Sequence, residues 1–163
     1  MATRRLSTFA ALVGGTLLVG SLDITYATLF WTFRGVGPIR VLQSVAAGLI
    51  GRQAAVSGGM KTALLGLALH YFISFCIVLV YWMAAKGLPI LRRHAVILGA
   101  TYGVGVYVVM NYIVIPLSAT KRGPFNLLWV SCSVIVHAFL IGLPAALFAK
   151  AALPETAVVE SNS

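Results

Sequence analysis

The side chains of this sequence that could carry chemistry are few, and most lie inside long apolar stretches. Of its three acids, Asp23, Glu155 and Glu160, only Asp23 precedes the C-terminal tail, and it falls deep in an apolar run. A carboxylate placed in hydrocarbon has to be offset by a partner or a hydrated cavity, so such a residue points to function by default. His70 and His137 are similarly set within apolar runs, and imidazole exchanges a proton near neutral pH. Asn111, Tyr26, Tyr107 and Ser74 add hydrogen-bonding groups. Two chemistries follow. Asp with His can relay a proton or ion. The same groups can instead form an interhelical network that fixes helix register, at about 0.6 kcal/mol per contact.

Other chemistries find less support. His70 and His137 could ligate a haem from two helices that run the same way, although no C-x-x-C-H attachment motif is present. Cys76 and Cys132 sit in separate apolar runs without metal-ligand spacing, as expected of small buried hydrophobes. No metal site and no disulfide is expected. The sequence contains no nucleophile elbow, phosphate loop, His-Glu metal motif or paired carboxylates. It therefore carries no sign of an enzyme.

The elements that must position these residues are written in the composition. The chain has 163 residues, 60% hydrophobic and 9% charged, with mean hydropathy +0.99. A water-soluble domain carries roughly 25% charged residues, so the outer surface is expected to meet lipid. Four apolar runs, about 6–33, 62–85, 95–117 and 125–149, each approach the ~20 residues that cross ~30 Å of hydrocarbon. The first is about twice as long as a signal-peptide core and lacks a good cleavage site, so it reads as a retained helix despite Arg4 and Arg5. Trp31, Tyr81, Trp82 and Trp129 fall near run ends, where amphipathic rings favour the membrane interface. Residues 1–153 form one transmembrane domain, and 154–163 read as a disordered tail.

Between the first two runs, the segment 38–57 opens with Pro38, suited to a first helical turn. Ile39, Leu42, Val45, Ala46, Leu49 and Ile50 recur at helical spacing, with Arg40, Gln43, Ser44 and Arg52 mostly elsewhere. That pattern suits an amphipathic helix at the interface, or a re-entrant one given Gly48, Gly51, Gly58 and Gly59. A fifth span would bury Arg52 in hydrocarbon at about 2.5–3.5 kcal/mol. The expected fold is thus an all-α membrane protein, a four-transmembrane-helix bundle with an interfacial or re-entrant amphipathic helix between spans 1 and 2.

In an up-down bundle the depth of each polar residue can be counted from the span ends. Asp23 lies about ten residues, roughly 15 Å, from the end of span 1. His70 lies about nine residues into span 2, Asn111 about six from the end of span 3, and His137 about twelve into span 4. All four helices thus bring a polar group to overlapping depths. The sequence predicts a layer of Asp23, His70, Asn111 and His137, with Tyr26, Tyr107 and Ser74 beside it. Asp23 is expected against one of the histidines.

The net charge is +9, but the cations are scattered between apolar runs, which suits anionic lipid head groups rather than the dense stripe that binds nucleic acid. One side of the bundle holds Arg4, Arg5, Lys86, Arg92, Arg93 and Lys150; the other holds Arg34, Arg40, Arg52, Lys61, Lys121 and Arg122. With the cations so evenly divided, the positive-inside rule favours neither orientation; both termini are expected on one side, taken as cytoplasmic. His94, beside Arg92 and Arg93, reads as interfacial. Gly99-x-x-x-Gly103 permits close helix approach, and Pro116 and Pro144 would end or kink their helices.

The strings QSVAAGLIG at 43–51, GGMKTALLGLALHYFISF at 58–75, YGVGVYVVMNYIVIPLS at 102–118 and HAFLIGLPAAL at 137–147 resemble small bacterial inner-membrane proteins of the YagU-like kind. The resemblance spans about residues 14–150 and implies a helical bundle of the bacterial inner membrane, without implying a catalytic residue. Three functions are open at this point. The leading one passes a proton or small solute along the polar layer. The second is a structural or assembly subunit, a homo-oligomer or partner of another membrane protein. The third is a membrane cytochrome holding haem through His70 and His137.

Overall fold

The computed structural model describes residues 6–120, 123 and 125–153. Arg4, Arg5, the tail from 154 onward and all of the expected polar connection 121–124 except Gly123 lie outside them. The described residues form seven helices: α1 (Thr8–Thr32), α2 (Pro38–Ile50), α3 (Arg52–Ser57), α4 (Gly59–Gly87), α5 (Pro89–Arg93), α6 (Ala95–Leu117) and α7 (Leu127–Ala152).

Helices α1, α4, α6 and α7, of 25, 29, 23 and 26 residues, are long and apolar enough to cross a membrane. At 1.5 Å per residue they measure about 35–44 Å. Their outward faces carry exposed Phe9, Leu17, Leu64, Phe72, Ile97 and Phe139, an apolar coat that water would not tolerate over such an area. The third span matches its run, 95–117, whereas the other three differ from theirs by one to three residues at each end, because a cap or turn, not the last apolar residue, stops a helix. Ser7 caps α1 through its Oγ, which accepts the Ala10 N–H at 3.1 Å, and Asn126 caps α7 by accepting the Trp129 N–H at 3.0 Å.

The spans alternate in direction. The α1–α4 crossing places Gly15 by Val78 and Gly20 by Tyr71 and Ser74, and Gly99 and Gly103 of α6 meet the 137–146 stretch of α7. The Leu6 N–H donates to the Ala151 carbonyl at 3.2 Å, so the two described ends of the chain meet at one end of the bundle. Reporter domains fused to the N- and C-termini are accordingly expected on the same membrane face; fusions on opposite faces would overturn this topology.

The half of the bundle nearest the termini is a dry core. Val19, Val78, Tyr81, Ala85, Ala95, Ile141, Ala145, Ala146 and Ala149 are buried together. Tyr81 belongs to this core instead of an interfacial belt, and its hydroxyl donates to the Leu91 carbonyl at 3.1 Å. Small residues let α6 and α7 touch through their backbones: a methyl at Gly103 would overlap the His137 carbonyl oxygen.

At the other end, the segment 38–57 is two helices instead of one. Gly51 separates them with φ +80°, a left-handed conformation open to glycine at little cost. Helix α2 packs on α4 and turns Gln43 inward, only 3% exposed, whereas Ile39 and Leu49 face outward. The sequence pattern sets Gln43 on the polar side; inside, its Nε2 donates to the Gly59 carbonyl at 2.9 Å. That hydrogen bond offsets the burial of its amide hydrogens.

Candidate functional site

Between the dry core and α2 the four long helices line a partly open cavity of about 250 Å³. Its walls are Asp23, Tyr26 and Trp31 of α1, Val41 and Ser44 of α2, His70 and Ser74 of α4, Tyr107 and Asn111 of α6, and Trp129, Ser133 and His137 of α7. Val19 and Ile141 belong to both cavity and core, so the core forms its floor. Every member of the polar layer counted from the sequence lines this one space. Asp23, Tyr26, Ala27 and Trp31 do so from α1 because their spacing of three, four and eight residues returns to one helix face.

Each polar group has a defined state. His70 is 8% exposed, and its Nε2 lies 2.8 Å from the Gly20 carbonyl. A carbonyl only accepts, so Nε2 carries the hydrogen and Nδ1 is left for further chemistry. This contact ties α4 to α1. His137 is the reverse: Nδ1 donates to the Ser133 carbonyl at 2.8 Å, leaving Nε2. Its ring meets the Tyr107 ring edge-on, with centroids 5.3 Å apart. The Ser74 hydroxyl donates back to the His70 carbonyl at 2.9 Å, and the Tyr26 and Ser133 hydroxyls hydrogen-bond at 3.1 Å.

Asp23 differs from all of these. It shares the cavity with both histidines, yet its carboxylate accepts no hydrogen bond and forms no ion pair among the described residues. The expected hydrogen bond or ion pair between Asp23 and a histidine is not formed among the described residues, although Asp23 acts electrostatically on His137. None of the described lysines or arginines lines the cavity.

Two widened turns shape the α6 and α7 walls. Helix α6 opens into a π turn over Met110–Val114, and α7 does so over His137–Gly142. Such turns occur disproportionately at functional sites. Each stands just before a proline, Pro116 or Pro144, whose missing N–H and ring clash disturb the preceding turn. Helix α6 ends at Leu117, one residue past Pro116, whereas α7 runs on past Pro144 to Ala152; in both, the turn before the proline is widened and carries a polar residue. Within the first π turn, Asn111 Nδ2 donates to the Tyr107 carbonyl at 3.0 Å.

Sequence reasoning missed Ser133 and the aromatic wall. Ser133 stands one helical turn before His137, and that spacing of four was the available signal. Trp31 and Trp129, at the end of span 1 and the start of span 4 and so on one side of an up-down bundle, pack together with ring centroids 5.2 Å apart, and Tyr26 stacks on Trp129 at 5.4 Å and 10°. Phe30 joins them at 4.7 Å from Trp129, with the Arg34 guanidinium 3.8 Å above its ring.

As a metal centre the site is poor: no group of three or more His, Cys, Asp or Glu side chains converges among the described residues. Haem ligation fares no better. His70 commits Nε2 to Gly20, and a 250 Å³ space is smaller than the roughly 300–1,000 Å³ of ordinary ligand and cofactor sites.

Comparison of the chain with protein-family models, with curated proteins and with solved structures returns no match. The family resemblance of the sequence strings gains nothing from these comparisons, and the functional reading rests on the cavity.

Proposed function

We propose that this chain is a multi-pass protein of the bacterial inner membrane that passes a proton or small polar solute through the cavity around Asp23. The observation that carries the reading is the Asp23 carboxylate, which accepts no hydrogen bond from the described residues, in a space bounded by His70 and His137. An aspartate at the centre of a spanning helix costs about 2.5–3.5 kcal/mol on insertion scales. A purely structural role would recover that cost through a hydrogen bond or contact ion pair, and Asp23 makes neither among the described residues, its charge acting on His137 and Tyr26 only through space. Hydration recovers it instead: water takes about 30 Å³ per molecule, so 250 Å³ accommodates several. Helix α2, with Ile39 and Leu49 outward and Gln43 inward, then lies at the interface or dips into it beside the cavity. Scattered cations at both ends of the bundle hold the anionic head groups.

The test is flux across vesicles containing the purified protein. With an imposed pH gradient, wild type is expected to dissipate it roughly tenfold faster than Asp23→Asn, a barrier difference of about 1.4 kcal/mol. Equal rates for wild type, Asp23→Asn and protein-free vesicles, with protons and with a panel of small amines and alcohols, would overturn the pathway. The reading left would be a structural or assembly subunit. That second reading draws on the His70–Gly20 hydrogen bond, which locks α4 to α1 whether or not anything passes.

A further inference from the structure

The chemistry of the cavity lining restricts what a solute could be. Most of the polar lining is already engaged within the protein: His70 with Gly20, Ser74 with the His70 carbonyl, and Tyr26 with Ser133. A neutral polyol or amide would find few groups to bind it. An anion would meet the Asp23 carboxylate with no lysine or arginine among the lining residues to offset it. What stands out is the negative charge of Asp23 and, beside the second nitrogens of His70 and His137, the aromatic surface of Tyr26, Trp31 and Trp129. Aromatic faces attract cations through their quadrupole, by about 0.5–1 kcal/mol in exposed sites and 2 or more when desolvated. The same aromatic cluster already holds one cation at its rim, the Arg34 guanidinium over Phe30 at 3.8 Å. The volume of about 250 Å³ limits the occupant to a small molecule.

We propose that the cavity binds a small organic monocation, an amine or quaternary ammonium, with Asp23 as its counter-ion and Tyr26, Trp31 and Trp129 as its aromatic wall. This rests on the reading of the cavity as a solute pathway and names the class of solute. The bound cation then supplies the contact ion pair that the described residues do not give the carboxylate. The ionisable groups facing the cation are Asp23, His70, His137, Tyr26 and Tyr107.

Choline and its uncharged isostere 3,3-dimethylbutanol test this in purified protein by tryptophan fluorescence. A Trp82→Phe background confines the signal to Trp31 and Trp129, and it sacrifices no hydrogen bond because Trp82 Nε1 has no partner. Choline is expected to give a saturable change, with the isostere binding at least about tenfold more weakly. Asp23→Asn should weaken choline by a similar factor. Trp129→Phe, which keeps a ring, should retain binding that Trp129→Leu loses. Thermal unfolding establishes that each variant is folded; if Asp23→Asn is not, the choline–isostere comparison decides alone. Equal response to choline and isostere, or no response to either, would overturn the cation. Asp23-dependent proton flux without choline binding overturns this inference and leaves the pathway standing. Absence of both flux and binding overturns the two together.

Discussion

Replacing Asp23 by leucine is expected to make the purified protein more stable, by about 1–3 kcal/mol, while abolishing flux. On insertion scales a central aspartate costs about 2.5–3.5 kcal/mol and a leucine gains about 0.3–0.6 kcal/mol. Hydration in the cavity reduces the penalty relieved, hence the smaller figure. Asp23→Asn, neutral but still polar, should fall between wild type and leucine. The sign follows from the absence of a hydrogen bond or ion pair to the carboxylate among the described residues. Had Asp23 been locked to a histidine, its removal would strand a buried cation and cost about 3–5 kcal/mol. Unfolding of wild type, Asp23→Asn and Asp23→Leu in mixed micelles separates the cases. Loss of stability in Asp23→Leu would make the carboxylate a structural lock and end the pathway reading.

Gly103→Ala is expected to destabilise the bundle strongly, whereas Gly105→Ala, two residues on, should be neutral or slightly stabilising. A Cβ at Gly103 meets the carbonyl oxygen of His137 and the Cα of Ala138. These are backbone atoms of α7, which cannot rotate aside as a side chain would. Overpacking of this kind costs about 1–3 kcal/mol and at times more. A Cβ at Gly105 meets nothing within 4 Å, and alanine is the better helix former by up to about 1 kcal/mol. Because Gly103 touches the residue that carries the His137 ring, relief by separating α6 from α7 should also disturb the cavity. Flux of Gly103→Ala should therefore fall even under conditions where the variant remains folded. Equal unfolding midpoints for the two alanine variants would show that the α6–α7 contact is looser than its backbone approach implies.

Hydropathy and residue counting alone were enough to set out four long apolar helices and to bring Asp23, His70, Asn111 and His137 to one depth. Burial in lipid demands about 20 apolar residues per crossing, and a helix advances a fixed 1.5 Å per residue, so both quantities are properties of the chain itself. The break at Gly51, the inward turn of Gln43 and the pairing of Trp31 with Trp129 were beyond that reach. Each depends on which face of a helix meets which neighbour, and periodicity in a nearly uniformly apolar chain barely distinguishes a lipid-facing side from a protein-facing one. The prolines at 116 and 144 were visible, but only the fold showed that α6 ends one residue past the first while α7 runs on past the second, with a widened turn before each. The state of Asp23 was likewise a tertiary matter. Its depth followed from sequence, but whether a donor reaches its carboxylate depended on how His70 and His137 turn, and each gives one nitrogen to a backbone carbonyl, of Gly20 and of Ser133. Backbone carbonyls carry no signature in a sequence, and only the folded geometry decides which donor reaches them first.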